Sequence, residues 1–362
     1  MINLEVEART RLGSFNLDAE FHALGGEVTI LFGRSGAGKT TVMESIAGLR
    51  NLSDGKISLG DRALFDSCAG VNLKPERRGI GYVFQDARLF PHLTVRENLL
   101  YGRRRLTLQP YKGDFNKIID LLDIASILSR FPSTLSGGEM QRVAIGRAFL
   151  SNPDVLLMDE PLVSLDDLRK DEILKYISQL KDIVSIPIIY VTHSVDEVLK
   201  LADKVILMSD GNVQASGAPN QVMGRPDLEP FVIDGAGGTV VDTVVDFQDK
   251  SHSLTNLAFP GGNLLVPRID ASRGTHIRVR IRSRDVALAT VRPESISVLN
   301  ILGVKIVSIS PPRGAVVDVV LDAKVPLRAQ ITQKSALELN LNEGMEVFAL
   351  IKTVAVEGQE HV

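Results

Sequence analysis

Between Phe32 and Met43 the chain reads Gly33-Arg34-Ser35-Gly36-Ala37-Gly38-Lys39-Thr40-Thr41-Val42. Two glycines five positions apart are followed at once by a lysine and a threonine. The apolar run Val28 to Phe32 precedes them and predicts a buried strand. Met43, Ile46, Ala47 and Leu49 recur at helical spacing behind them. A strand that passes through a glycine turn into a helix is the context in which this spacing cradles phosphate. The backbone N–H groups of Gly33, Arg34, Ser35, Gly36, Ala37 and Gly38 turn inward on phosphate oxygens. The positive end of the helix dipole adds to them. Lys39 is expected to reach the β- and γ-phosphates as a point charge, with Thr41 in the same binding set. Thr40 is expected to place its hydroxyl on Mg²⁺. Such a loop commits the surrounding residues to an α/β fold built on a covered sheet.

The rest of the chain follows that pattern as far as about residue 225. Ile2, Leu4, Val6 and Ala8 alternate with polar residues, as in a half-exposed strand. Further strands are expected around Lys56–Leu59 and at Ile80–Phe84, and buried ones at Val155–Met158, Ile188–Val191 and Val205–Met208. Asp86 to about Leu150 reads as helical, and Asp167 to about Lys181 as one amphipathic helix. Strands alternating with helices predict a mostly parallel sheet. Composition shifts near Arg225-Pro226-Asp227, and short Val-, Ile- and Leu-rich runs broken by Gly and Pro follow. Strands are expected at Val240–Val245, Leu264–Val266, Ile277–Ile281, Val286–Ala289, Ile306–Ile309, Val316–Leu321 and Val347–Ile351, an all-β barrel region. The expected division is a domain at 1–228, with a helical subdomain at about 87–150, and a second at 229–362. The second domain reads as two sub-barrels, 229–292 and 293–362, joined near Arg292-Pro293.

Charge and cysteine content narrow the function. Among 362 residues, 41 basic and 44 acidic side chains leave a net charge of −3. That balance gives no support to nucleic-acid binding, and Arg103-Arg104-Arg105 reads as a solvated face. The single Cys68 excludes an internal disulfide and suits a reducing compartment. No apolar stretch reaches eighteen residues and no signal-peptide pattern opens the chain. A cytoplasmic protein is expected, whose membrane role would come through a partner.

Four other stretches carry chemistry. Asp159-Glu160 follows an apolar strand, where Asp159 suits Mg²⁺ and Glu160 can polarise an attacking water. Leu135-Ser136-Gly137-Gly138-Glu139 opens a helix. Ser136 and Glu139 have capping-box spacing, and the two glycines also expose N–H groups to a phosphate. One phosphate loop already supplies one cradle, so a second implies another nucleotide face. Gln85 ends one strand and His193 ends another, and strand C-terminal ends in a parallel sheet face the ligand crevice.

In this order the phosphate loop, Gln85, residues 135–139, Val155–Glu160, Ser164-Leu165-Asp166 and His193 resemble the ATP-binding-cassette (ABC) ATPases over roughly residues 1–225. The resemblance implies an ABC-type phosphate-loop NTPase fold with a helical subdomain. It implies a head-to-tail homodimer that sandwiches two ATP molecules, each between the phosphate loop of one chain and Ser136–Glu139 of the other. Lys39, Glu160 and His193 would be catalytic, Glu160 as general base and His193 as the γ-phosphate contact. Thr40, Gln85 and Asp159 would serve Mg²⁺, Gln85 also linking it to the transport partner. Asp166 would carry contact between the two sites. The family usually places an aromatic residue near the end of the first strand to stack on adenine. Here residues 9–13 read Arg9-Thr10-Arg11-Leu12-Gly13, and Phe15 is the nearest candidate.

The tail selects among these ATPases. Arg280 to Ala289, Tyr82 to His92, and the segment from Ser297 to Val356 resemble the ATPase subunits of molybdate importers, whose tail is a TOBE/Mop-like oligobinding-fold domain. This implies two transmembrane permease chains, a periplasmic molybdate-binding protein, and a place at the cytoplasmic face of the inner membrane. Related tails occur in importers of sulfate, ferric iron and sugars, so the same motor for another solute is the alternative. An ABC ATPase acting on ribosomes or DNA would usually carry two cassettes or coiled-coil insertions, and this chain has neither. Molybdate or tungstate in the tail would need hydroxyls, N–H groups and a cation. Thr332 and Ser335 stand three apart near an expected helix start, and Lys352 supplies a charge. The alternative is a helix cap and a surface lysine in a domain that only packs the dimer. Leu299 stands where the family often has a basic residue, before Asn300.

Overall fold

The computed structural model describes residues 2–102, 115–163, 165–183, 185–223, 238–353 and 356–360. The Arg103–Arg105 run, Ser164 and the composition break at Arg225-Pro226-Asp227 lie outside them. The chain divides into two compact units, Met1–Gly217 and Ala218–Val362.

The first unit runs β1 (Leu4–Leu12), β2 (Phe15–Ala23), β3 (Val28–Phe32), α1 (Lys39–Ala47), β4 (Asp54–Leu59), β5 (Arg62–Asp66), β6 (Val71–Asn72) and β7 (Ile80–Val83). It continues with α2 (Val95–Leu100), α3 (Phe115–Leu121), α4 (Gly137–Leu150), β8 (Val155–Asp159), α5 (Asp167–Ile183), β9 (Ile188–Thr192), α6 (Val195–Leu201), β10 (Lys204–Ser209) and β11 (Asn212–Gly217). The strands form one sheet in the order β6-β5-β4-β1-β2-β11-β10-β3-β9-β8-β7.

The expectation of a mostly parallel sheet needs correction. Only β10-β3-β9-β8-β7 is a continuous parallel block, and β2 meets β11 in parallel at Asp18 and Asn212. β1, β2, β4, β5 and β6 pair antiparallel among themselves, and β10 with β11. Burial explains the division. β3, β8 and β9 are buried along their whole length, as strands covered on both faces must be. β1 and β2 alternate buried and exposed, as antiparallel strands with one wet face do. Between sheet and α1, Val42, Met43 and Ile46 pack with Leu31, Ile189, Val191 and Ile206. Each such side chain contributes about 1.5–3 kcal/mol by leaving water. The main result is a rigid seat for the phosphate-loop helix.

The second unit contains α7 (Pro219–Met223), β12 (Gly238–Asp249), β13 (Leu254–Phe259), β14 (Gly262–Pro267), β15 (His276–Arg282) and β16 (Val286–Ala289). β17 (Asn300–Ile309), β18 (Val316–Asp322), β19 (Pro326–Thr332), α8 (Gln333–Glu338), β20 (Glu346–Ile351) and β21 (Val356–Glu360) follow. Two five-stranded sheets, β14-β13-β12-β15-β21 and β16-β20-β17-β18-β19, enclose one apolar core. The chain crosses between them twice. β16 precedes Arg292 but joins the second sheet, and the last strand, β21, returns to the first.

Candidate functional site

The C-terminal ends of the parallel strands build the site. In register, Leu31 lies beside Val191 and Val191 beside Asp159, while Met158 lies beside Val83. Gly33, Gln85, Glu160 and His193 therefore leave β3, β7, β8 and β9 at one edge of the sheet. Four segments distant in sequence meet there because the strands are parallel and aligned.

The phosphate loop is shaped by close backbone approach. At Gly33, with φ +154°, a Cβ would lie 2.2 Å from the Met208 carbonyl oxygen. At Gly38, with φ +99°, it would lie 2.8 Å from Phe15 Cζ. Gly38 is the N-cap of α1, and no side chain caps that helix. Uncapped first-turn N–H groups at a helix N-terminus suit an anion. Lys39 is 5 % exposed, and its Nζ donates to the carbonyls of Gly33 at 2.8 Å and Arg34 at 3.0 Å. Burial pulls the Lys39 ammonium below its ordinary value, while Glu160 and Asp159 oppose that shift. Arg34, Ser35, Gly36 and Thr40 form the exposed rim of the loop, Thr41 is half-buried, and Ala37 is buried.

Asp159 stands opposite. Its Oδ1 accepts from the Thr40 hydroxyl at 3.2 Å and its Oδ2 from the Tyr82 hydroxyl at 3.2 Å. Burial pushes the Asp159 carboxyl up, and the Tyr82 and Thr40 bonds only partly offset it. A buried carboxylate held by hydroxyls alone, beside a threonine oxygen, is a hard oxygen donor pair suited to Mg²⁺. Glu160 turns out of β8 at φ +44°, with its N–H held by the Val191 carbonyl at 3.1 Å. That turn directs its carboxylate to the His193 ring, with Oε1 3.5 Å from Nδ1. Gln85 is exposed two residues past β7.

Ser136 caps α4. Its hydroxyl accepts from the Glu139 N–H at 3.3 Å, and Glu139 Oε2 accepts from the Ser136 N–H at 2.7 Å. Arg130 Nη1 donates to Glu139 Oε1 at 3.4 Å. Ser136 and Gly137 are exposed and Gly138 is buried. Among the described residues no hydrogen bond joins this segment to the phosphate loop. Asp166 is exposed and paired to Arg169 at 3.3 Å. Phe15 is half-buried, packed against Gly38 and the core of the sheet.

The three tail residues do not meet within one chain. Thr332 caps α8, accepting from the Ser335 N–H at 3.1 Å, and the two hydroxyls lie 2.8 Å apart. Lys352 follows Ile351, which pairs with Asn300 at the start of β17. Thr332 pairs with Val316, beyond the other end of β17. Ten residues of strand separate these ends, about 30 Å at the usual rise. Thr332 and Ser335 thus stand together, while Lys352 lies by the other end of β17.

Tyr82 was not among the residues expected at the site. It lies in the apolar run Ile80–Phe84, but its partner Asp159 lies on another strand, which spacing along the chain does not show. The buried pair Tyr190 and Glu197, bonded at 2.8 Å behind His193, was equally hidden.

Residues 17–163 match the ABC transporter family, and residues 296–357 match the TOBE domain. The chain is 47% identical to a molybdenum import ATP-binding protein of Paramagnetospirillum magneticum, covering 98% of this chain and 97% of that protein. It is 48% identical to a protein of the same name from Rhizobium etli, covering 99% and 100%. This chain belongs to the ABC transporter ATPases. As a member of that family it binds and hydrolyses ATP. A solved nucleotide-free cassette from an ABC transporter aligns with a TM-score of 0.54 at 26% identity, covering 65% of this chain and 98% of that one. A cassette solved in its ADP conformation gives the same TM-score at 25% identity. Among the described residues of this ABC ATPase, no helix is long and apolar enough to cross a membrane.

Proposed function

We propose that this chain is the ATP-driven motor of a molybdate importer, with tungstate as a competing anion. The observation that carries this reading is the end-to-end likeness to molybdenum import ATP-binding proteins, tail included. Residues 1–228 hydrolyse ATP. They work as a homodimer on two permease chains at the cytoplasmic face of the inner membrane, fed by a periplasmic molybdate-binding protein.

Chemistry at the strand ends follows from the residues there. The loop amides and Lys39 hold the β- and γ-phosphates. Glu160 takes a proton from water as its oxygen attacks the γ-phosphorus, and the bond to the β–γ bridging oxygen breaks to leave ADP. His193 steadies the γ-phosphate beside Glu160. Thr40 and Asp159 are the residues that would hold Mg²⁺, with Gln85 reporting its presence to the permease. Mg²⁺, when bound, neutralises charge on the phosphate oxygens. Ser136–Glu139 of the second chain close over the nucleotide.

Residues 229–362 sense the oxyanion or pack the dimer. Because Lys352 stands far from Thr332 and Ser335 in one chain, a site using all three needs two chains. Leu299 favours the packing role, since a lost cation weakens dianion binding.

Reconstitution with the cognate permease pair and binding protein in proteoliposomes tests the substrate. Labelled molybdate should accumulate with ATP, and excess tungstate should block it while sulfate, ferric iron and maltose do not. Sulfate or sugar uptake without molybdate uptake would overturn the assignment.

A further inference from the structure

The Asp159 carboxylate is divided between two hydroxyls, and only one of them belongs to the phosphate loop. Thr40 holds Oδ1 and Tyr82 holds Oδ2, each at 3.2 Å. Tyr82 lies on β7, directly beside Leu157 of β8. Its ring stacks on Phe84 with centroids 4.2 Å apart and planes 23° from parallel. Arg88 covers the Phe84 ring at 4.1 Å. The backbone there is pinned in turn, since Arg147 donates to the carbonyls of Arg88 at 2.9 Å and Ala87 at 3.1 Å. These contacts hold the phenol against Oδ2.

We propose that Tyr82 is a positioning residue, whose hydroxyl fixes the Asp159 carboxylate so that its other oxygen faces Thr40 and the metal of the nucleotide site. This deepens the proposed function and rests on Asp159 and Thr40 as the Mg²⁺ ligands. Without the phenol hydroxyl, Oδ2 is buried with no donor, and the carboxylate is free to rotate out of line. The clamp also joins that carboxylate to the strand leading into Gln85.

The test uses the full chain with Glu160→Gln as background, so that nucleotide is not consumed. Affinity for a fluorescent ATP analogue is titrated once with Mn²⁺ and once with a chelator. The gain produced by Mn²⁺ is the reading. Tyr82→Phe keeps the ring and its stack and removes only the hydroxyl. The Mn²⁺-dependent gain should fall about tenfold, the loss of one hydrogen bond to a charged group, with chelator-arm affinity unchanged. An unchanged gain, a larger gain, or equal losses in both arms would overturn the role of Tyr82. No Mn²⁺-dependent gain in the Glu160→Gln parent would overturn the metal-site reading itself, and this proposal with it.

Discussion

At the residue scale, the pairing of Glu160 with His193 is the arrangement with the most direct consequence. Glu160 is the one carboxylate that the left-handed turn after β8 aims at the imidazole, 3.5 Å away. Gln at this position keeps shape and hydrogen bonding but cannot accept a proton. Glu160→Gln should bind ATP normally and lose about 10²- to 10⁴-fold in turnover. Trapped ATP should hold the dimer closed, so size-exclusion chromatography with ATP should shift from monomer to dimer. Normal turnover by the variant would remove Glu160 as the base. Behind this site lies a second carboxylate of opposite character. Glu197 is 6 % exposed and accepts from the Tyr190 hydroxyl at 2.8 Å. Burial raises its pKa above 4.5, with the Thr192 and Tyr190 bonds opposing. The folded chain therefore keeps this proton over a range where the unfolded chain has lost it. That stabilisation is fully present below the ordinary value and is lost as pH rises through the folded value. Glu197→Gln retains an acceptor for Tyr190 and never ionises. Its melting temperature should gain on the wild type as pH climbs from about 4 to about 8. Parallel melting curves across that range would show that Glu197 carries no buried charge.

At the element scale, α1 opens on the phosphate loop and is held at its other end by a side chain. Arg78 is 2 % exposed, and its Nη1 donates to the Ser45 and Ile46 carbonyls, each at 2.8 Å. Its Nε donates to the Leu73 carbonyl at 2.8 Å, and its Nη2 to Asn72 Oδ1 at 2.9 Å. A cation thus meets the negative end of the helix dipole and supplies a donor to the Ile46 carbonyl, while the Ser45 carbonyl also accepts from the Gly48 N–H at 3.1 Å. Arg78→Met fills similar space and strands the Ile46 and Leu73 carbonyls and Asn72 Oδ1, each costing about 1–3 kcal/mol. The expected loss is at least about 3 kcal/mol, read from the urea midpoint of the full chain. Arg78→Lys should fall between, since one ammonium reaches fewer carbonyls. A Met variant as stable as wild type would mean that water replaces the guanidinium. In sequence this residue was invisible, because Glu76-Arg77-Arg78-Gly79 looks like any solvated charge cluster. What was legible were patterns complete within a few residues. The mostly apolar runs that become β3, β8 and β9 and the Ser136–Glu139 cap are of that kind. β2 was missed although Phe15, Leu17, Ala19 and Phe21 alternate, because the Asn, Asp, Glu and Ala between and among them have weak strand preference. Tyr82 on Asp159, and the distance from Lys352 to Thr332, depend on which strand lies beside which. Spacing along the chain carries no such register.

At the scale of the whole molecule, the arrangement of exposed groups argues for shared sites. The rim of the phosphate loop is open, and so is the N-terminus of α4 at Ser136 and Gly137. The bonds of the Ser136 cap run to Glu139, and Glu139 in turn receives Arg130. None of these described bonds reaches Lys39 or its neighbours. In the proposed head-to-tail homodimer, the phosphate that Ser136 meets is held by the other copy of the chain. Lys39→Ala disables the loop of its own chain, and Ser136→Arg blocks the loop of the chain opposite. Each variant alone spoils both sites of its own dimer. In a mixed dimer both lesions fall on one site, and the other is assembled from two intact halves. Random pairing at equal amounts makes about half of the dimers mixed, so about a quarter of all sites are whole. ATPase activity of the mixture should rise from near zero towards that fraction. A differential affinity tag establishes that mixed dimers have formed. Mixed dimers without recovered activity would mean that each chain completes its own site, and the open end of α4 would then need another partner.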